Sequence, residues 1–409
     1  MIYLPYIYFA YMFISLYMLS LFILIFVQNR KTIFEFPPIV KKYSVSFIVP
    51  AYNEEKTIED TINHILNVDY PNVIEVIIIN DCSTDRTLEI AKKLMEKYSK
   101  IKILDNKKNL GKAEGMNMAL RIAKGELVAV VDADSYPEKN SLSRMIGFFD
   151  NEKVGAVTCP IFVRKRDSFL EKLQAIEYKV IAFTRKLFDY VDSIYVTPGP
   201  LAIYRKNALL EIGGFDKNNL TEDIEATWHL IDKGWERRMC LSTSVSTTAP
   251  KKIKQWYIQR RRWNMGGLQC IYKYRRSIGK KGIFGWFIIP SFILSTFLGL
   301  VGLFIFFYLM SSRIISNFLL TKYSIIAETP LVTLNNFYII PSVLNYFGIV
   351  LFLFGLVFTL IVLSILKEEI FIKENILNIP FYMVSYLAFY PFVMLGSIFH
   401  MIRGKKTWR

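Results

Sequence analysis

Two aspartates one residue apart, Asp132 and Asp134, close the apolar run Leu127-Val128-Ala129-Val130-Val131. Carboxylates so placed are hard oxygen ligands, and with diphosphate oxygens they can complete an octahedron around Mg2+ or Mn2+. Asp134 is the expected metal ligand, with Asp132 beside it on the nucleotide side. Further along, Thr221-Glu222-Asp223 sets two acids side by side. A carboxylate there can take the proton of an attacking hydroxyl, so Asp223 is the candidate base and Glu222 its catalytic neighbour. The third group is Gln259-Arg260-Arg261-Arg262-Trp263. On a helix Gln259, Arg262 and Trp263 fall at i, i+3 and i+4, hence on one face. Arg262 can pair with a departing diphosphate, Gln259 can hydrogen-bond hydroxyls, and the Trp263 ring can stack on a sugar. Asp81 precedes all three, at the end of a run where an acid commonly accepts from a ribose. Asn109-Leu110-Gly111-Lys112-Ala113 adds a glycine that permits close backbone approach and a lysine at a helix start, both suited to phosphate. In this order the groups suit transfer of a sugar from a nucleoside diphosphate.

Each group also has a plainer account. Paired acids after a strand can be a solvated turn, and Asp81 can form an Asx-turn capping the next helix. Glu222 and Asp223 at a helix N-terminus complement its dipole. Arg260 and Arg261 fit a basic helix lying at a membrane interface, where Trp263 could serve as an aromatic anchor.

The elements that must carry these groups alternate between strand and helix. Residues 45–49, 76–79, 101–104 and 127–131 read as buried strands. Residues 54–66 and 111–123 have helical periodicity, and Ser83-Thr84-Asp85 reads as a helix N-cap. Such alternation predicts a mostly parallel, doubly wound α/β sheet of Rossmann type, with ligands beyond the carboxyl ends of the strands. Asn53-Glu54, Asp81, Asp132 and Asp134 all fall there. After residue 140 the alternation weakens; 169–188 reads as a helix, 197–204 as loop and strand, and 221–232 as a helix with an acidic first turn.

The 409 residues exceed what this unit needs, and 53% of them are hydrophobic. Residues 1–29, 282–312, 329–366 and 375–402 carry no Asp, Glu, Lys or Arg, and each exceeds the roughly 20 residues a spanning helix requires. The expected division is therefore an N-terminal anchor at 1–29, an α/β domain at 42–250, basic interfacial helices at 251–281 carrying the arginine motif, and a membrane region at 282–409. Asn29-Arg30-Lys31 after the first span places the α/β domain in the cytosol of a multi-pass plasma-membrane protein. Parity is unsettled: the cationic tail at 403–409 favours the inside, and 329–366 could hold two short crossings or a re-entrant piece around Asn335, Asn336 and Pro341.

Net charge is +16, and residues 251–281 hold eleven Lys and Arg with no acid. A basic segment rich in aromatics could bind single-stranded nucleic acid. Its place beside a span argues instead for a lipid bilayer and phosphates, and against nucleic acid as a partner. The four cysteines form neither a CxxC nor a zinc pattern, which excludes a disulfide or zinc scaffold.

Taken together, the residues from 45 to 267 resemble the processive, membrane-integrated members of glycosyltransferase family 2: cellulose, hyaluronan, chitin and poly-N-acetylglucosamine synthases. The carrying motifs are Asp81, Asp132 with Asp134, Thr221-Glu222-Asp223 and Gln259 to Trp263, in the family's order. Size and layout are closest to the poly-N-acetylglucosamine synthases. Val49-Pro50-Ala51-Tyr52-Asn53-Glu54, Gly199 in a pre-acceptor loop, and Gly266-Gly267 support that. The resemblance implies a GT-A fold and a UDP-sugar donor bound by Ala51, Tyr52, Glu54, Asp81, Lys112 and Asp132. It further implies a divalent metal on Asp134, inversion at the anomeric carbon, and a growing polysaccharide acceptor at Gly199, Gln259, Arg262 and Trp263 that leaves through a channel. UDP-N-acetylglucosamine is the expected donor, and a small accessory membrane subunit stays open as a partner. Val157-Thr158-Cys159-Pro160 departs from the family where a Gly or Asn is usual, and Ala249-Pro250 lacks an acid often found before the arginine motif. Transfer of one sugar from a UDP-sugar to a membrane lipid is the alternative, since lipid glucosyltransferases share much of the motif order. A non-catalytic transporter is disfavoured because no charge-free stretch carries an ion-path residue.

Overall fold

The computed structural model describes residues 4–328, 343–368 and 373–404. An apolar helix, α1 (Leu4–Asn29), leads into β1 (Val45–Ala51), α2 (Ile58–Leu66), β2 (Val73–Asn80), α3 (Thr87–Lys97), β3 (Ile101–Asp105), α4 (Lys112–Ile122) and β4 (Leu127–Val130). The four strands run parallel in the order β3-β2-β1-β4. Successive side chains on a strand face opposite ways, and here both faces are apolar. Val45, Phe47 and Val49, with Val76, Ile78, Leu127 and Ala129, meet Ile58, Ile62 and Ile65 of α2 and Ala91 and Leu94 of α3. The intervening Ile48, Ile77, Ile79, Val128 and Val130 meet Ala113, Met116, Ala119 and Leu120 of α4. Burial on both faces is why these strands read as continuous apolar runs.

The second half follows as β5 (Ser135–Pro137), α5 (Ser141–Met145), β6 (Val154–Thr158), β7 (Ile161–Val163), α6 (Phe169–Tyr190), β8 (Ala202–Arg205), α7 (Lys206–Glu211), α8 (Glu222–Asp232), β9 (Glu236–Met239), β10 (Val245–Thr247) and α9 (Ile253–Tyr274). It extends the sheet to β3-β2-β1-β4-β8-β6-β9, with β8 antiparallel to β4 and β6. A small second sheet, β5-β10-β7, stands beside the Asp132–Asp134 turn. The mostly parallel α/β sheet expected from the sequence is present.

Some boundaries differ. Residues 54–57 form a turn closed by Thr57 N–H on the Glu54 carbonyl, so the helix starts at Ile58. α3 begins at Thr87, and of the expected cap only Asp85 acts, accepting from the Thr87 N–H at 3.0 Å. The Asx-turn after β2 belongs to Asn80, whose side-chain oxygen accepts from Ser83 N–H at 3.3 Å, rather than to Asp81.

Beyond α9 come α10 (Ile289–Ile326), α11 (Val343–Ile365) and α12 (Lys373–Ile402). Among the described residues, four helical stretches are long and apolar enough to cross a membrane: Pro5–Asn29, Phe284–Ile326, Gly348–Ile365 and Ile376–Ile402. The charge-free stretch 282–312 stops short of its helix, which runs on past Arg313 and Lys322. Asn335, Asn336 and Pro341 lie outside the described residues, as do 405–409 of the tail. α1 packs on α11 and α6, while α12 packs on α9, α10 and α6, so apolar helices and α/β domain share a continuous interface.

Candidate active site

β4 ends where Val131 N–H still bonds the Ile48 carbonyl, and the chain then turns through Asp132, Ala133 and Asp134 into β5. The turn is pinned by Asp132 N–H on the Gly199 carbonyl at 3.2 Å and by Thr61 Oγ1 donating to the Ala133 carbonyl at 2.8 Å. Ser135 and Thr247 hydroxyls contact Asp134 Oδ1 at 3.2 and 3.4 Å. Burial first, then the carboxylates of Asp132 and Glu54, push the Asp134 carboxyl up to about 7. Such a cluster of like charge gains from a hard divalent cation, and its oxygen donor set fits one. Among the described residues no group of three or more His, Cys, Asp or Glu could hold a metal ion by itself. Asp134 would therefore need a ligand's phosphate oxygens to complete the shell.

Lys112 opens α4 and reaches Asp132 Oδ1 at 2.6 Å and Glu222 Oε1 at 2.8 Å. Burial alone would lower its pKa, but Asp132, Glu222 and Asp223 outweigh that and raise it. The lysine thus joins the aspartate turn to the acidic start of α8, and any phosphate contact would share it with those carboxylates. Gly199 makes this possible: a Cβ there would stand 2.8 Å from both Asp132 Oδ2 and Lys112 Nζ.

On α8, Thr221 is the N-cap, and Glu222 and Asp223 sit in the first turn. The two acids are shifted in opposite directions. Burial works against ionised Glu222, but Lys112 and Arg262 hold its carboxyl below the usual range. Burial, then Glu222, push Asp223 up to about 6 against the pull of Lys112 and Arg262. Asp223 Oδ1 accepts from the Ile224 N–H at 2.9 Å, which fixes its rotamer. Gly266 of α9 packs against this turn so closely that a Cβ would lie 2.7 Å from Thr221 Cβ.

The arginine run on α9 divides by helical angle. Gln259, Arg262 and Trp263 all line the same cavity. Arg260, expected at a membrane interface, is instead fully buried. Its Nε donates to Glu177 Oε1 on α6 at 3.1 Å, Nη2 pairs with Glu177 Oε2, and Nη1 donates to Gln259 Oε1 at 2.7 Å. Its guanidinium also lies 4.1 Å from the Trp263 ring centroid, covering one face of the indole. Arg261 contacts His400 Nε2 on α12 at 2.9 Å. A position one residue on turns about 100° around a helix, so neighbouring arginines serve three different surroundings.

Ala51, Tyr52, Glu54 and Asp81 form a neighbouring shelf at the ends of β1 and β2, where Asp81 N–H bonds the Ala51 carbonyl at 3.0 Å. Both Asp81 oxygens are engaged, accepting from Asn106 Nδ2, Leu110 N–H and Gly111 N–H at 2.8–2.9 Å. Asp81 therefore shapes the Gly111-Lys112 turn. Glu54 is pushed up by burial and by Asp132, placing its carboxyl in the field of the aspartate turn.

A cavity of about 370 Å3 collects Lys112, Asp132, Asp134, Gly199, Glu222, Asp223, Gln259, Arg262 and Trp263 in its lining. Sequence reasoning missed the rest of that lining. Glu177, Ile181 and Arg185 follow one face of α6 at four-residue spacing, with Tyr195 beyond them, and Tyr390 and Met394 of α12 complete it. The spacing was visible, but an amphipathic helix gives no sign that its polar positions face a cavity.

A sheet of this topology with paired acids after its fourth strand and a basic helix closing the far side defines a GT-A glycosyltransferase domain. Residues 46–213 match the model of glycosyl transferase family 2. The poly-β-1,6-N-acetyl-D-glucosamine synthase of Staphylococcus epidermidis is 34% identical over 236 residues, 56% of each chain. That of Staphylococcus aureus strain COL is 31% identical over 231 residues, again 56% of each. The match thus spans about half the length of these curated relatives. A mannosyltransferase from Pyrobaculum calidifontis, solved with GDP-mannose and Mn2+, shares the fold at 23% identity and TM-score 0.57, over 72% of this chain and 81% of that one.

Proposed function

We propose that the protein is a membrane-integrated, inverting glycosyltransferase that extends a β-linked polysaccharide from a UDP-sugar, with UDP-N-acetylglucosamine as donor. The observation that carries this is convergence: the aspartate turn, the Glu222-Asp223 acids and the Gln259-Arg262-Trp263 face line one cavity, whose lining also includes α10 and α12 side chains such as Thr296 and Tyr390. The similarity to poly-β-1,6-N-acetyl-D-glucosamine synthases supports the choice of donor.

In this reading the uridine diphosphate occupies the shelf of Ala51, Tyr52, Glu54 and Asp81 and extends toward Lys112 and Asp132. A divalent cation, Mg2+ or Mn2+, held through Asp134 would offset diphosphate charge. Asp223 takes the acceptor hydroxyl's proton as that oxygen bonds to the anomeric carbon. The bond from that carbon to the diphosphate oxygen breaks, and its electron pair leaves with UDP beside Arg262. Gln259 and the face of Trp263 not covered by Arg260 hold the terminal sugar. The α/β domain lies on the cytosolic side, and the product leaves along the helices that wall the cavity.

The test is product size. Purified protein in nanodiscs is given Mn2+ and labelled UDP-N-acetylglucosamine or UDP-glucose. A high-molecular-mass product from the first donor alone is expected. A single labelled glycolipid, made only when lipid is supplied, would replace polymerisation by transfer to a lipid.

A further inference from the structure

Buried cations in this protein generally have acceptors. Lys179 pairs with Glu368, Lys186 with Asp189 and the Met239 carbonyl, and Arg260 with Glu177. Arg237 donates to the carbonyls of Asp192, Ile194 and Trp235. Arg185, on α6, is different. It is 6% exposed, it lines the cavity, and among the described residues no group accepts a hydrogen bond from it.

A guanidinium has five donors, no acceptor and a permanent charge. Burying one without partners is costly. None of the Arg185 nitrogens is among the fully buried polar atoms that lack a partner, so the guanidinium opens onto the cavity, where an oxygen-bearing ligand would supply its acceptors. The acids nearby do not fill that need. Lys112 lies between Asp132 and Glu222, and Lys112 and Arg262 are the cations acting most strongly on Asp223. The groups acting on Arg185 are Tyr195 and Cys159, with Asp223 after them. Arg185 thus lines the same cavity and lies within the field of Asp223. The cavity lining includes the aromatic side chains of Tyr195, Phe292 and Tyr390, the two tyrosines carrying hydroxyls. Such a wall suits a neutral, oxygen-rich ring better than a second phosphate.

We propose that Arg185 is an acceptor-binding residue: its guanidinium donates to hydroxyl or amide oxygens of the saccharide whose free hydroxyl is presented to Asp223. The inference rests on the reading of the cavity as a glycosyl-transfer site.

The experiment uses full-length protein in nanodiscs with Mn2+, UDP-N-acetylglucosamine or UDP-glucose, and short N-acetylglucosamine oligosaccharides as acceptors. Arg185→Gln and Arg185→Met should raise the acceptor KM about tenfold to a hundredfold, the range for hydrogen bonds from a charged donor. Mn2+-dependent affinity for UDP should not change, and Arg185→Lys should recover part of the loss. Because the guanidinium opens onto the cavity and makes no hydrogen bond in the unliganded site, Arg185→Met should melt at or near wild type. A lower Tm for that variant would mark a structural arginine and overturn the proposal. So would an unchanged acceptor KM, or weakened UDP binding with acceptor KM intact, which moves the guanidinium to the diphosphate. Wild-type protein that extends no acceptor with either donor defeats the parent reading and this proposal together, an outcome separated from the others by the wild-type control.

Discussion

Replacing Asp223 by Asn exchanges one carboxylate oxygen for an amide at nearly constant volume, and the remaining oxygen can still accept from the Ile224 N–H. The substitution removes a charge that the fold tolerates poorly. Burial and Glu222 move this carboxyl from an ordinary 3.8 to about 6. The folded protein therefore holds the proton more tightly than the unfolded chain does. Its protonated form stabilises below the unfolded value, and that contribution is lost as pH rises through about 4 to about 6. The displacement corresponds to about 3 kcal/mol between the two protonation states. Solvent reaching the half-buried side chain through the cavity screens part of it, leaving about 1–2 kcal/mol.

Asp223→Asn should consequently be more stable than wild type at pH 8, with Tm higher by roughly 2–6 °C, and the difference should close toward pH 4. Turnover should fall to background while UDP still binds. Wild-type turnover should rise with pH through about 6, the ionisation of the base. Thermal melts of both proteins across pH, in metal-free buffer, measure the first effect, and a rate–pH profile the second. A variant less stable than wild type at pH 8, or a gap independent of pH, would refute the electrostatic account. Retained turnover would remove Asp223 as the base.

Four further variants probe the supporting structure. Asp134→Ala should abolish the dependence of UDP affinity on Mn2+, measured by titration calorimetry; unchanged dependence would exclude it as the ligand. Glu177→Gln leaves Arg260 buried against a neutral amide and should cost about 3–5 kcal/mol, read as a lowered unfolding midpoint. The paired change Glu177→Leu with Arg260→Met should recover most of that stability, since matched apolar replacements of buried ion pairs are often neutral. Gly266→Ala forces a methyl group into the Thr221 side chain and should displace the acidic turn, lowering kcat more than UDP affinity in initial-rate assays.

The first four strands were legible because burial on both faces leaves unbroken apolar runs, and the acids that follow β1, β2 and β4 were legible because strand ends are where such sheets bind ligands. The later strands were harder. β5, β7 and β10 are three residues each, too short to display a period. Asp81 was located correctly as a strand-end acid, yet its partners, Asn106, Leu110 and Gly111, lie across a connection that local pattern cannot fold. Residues 329–342 fall outside the described part of the chain, and with them the question of how 329–366 is arranged.

The arginine run marks where one-dimensional reading stops. A motif names Arg262 and Trp263 and treats Arg260 as filler, because a sequence carries no record of what faces each side of a helix. Here Arg260 meets Glu177 on α6, and Tyr386 of α12 donates to the same carboxylate at 2.8 Å. That contact joins the helix bearing the arginine motif to α6 and to α12, a helix long and apolar enough to cross a membrane. Trp263 is then held by the Arg260 guanidinium over one face, which leaves its other face and the Arg262 charge aimed into the cavity. The buried pair is thus a positioning device: it sets the rotation of α9 about its axis, and a change of that rotation would withdraw Gln259, Arg262 and Trp263 together.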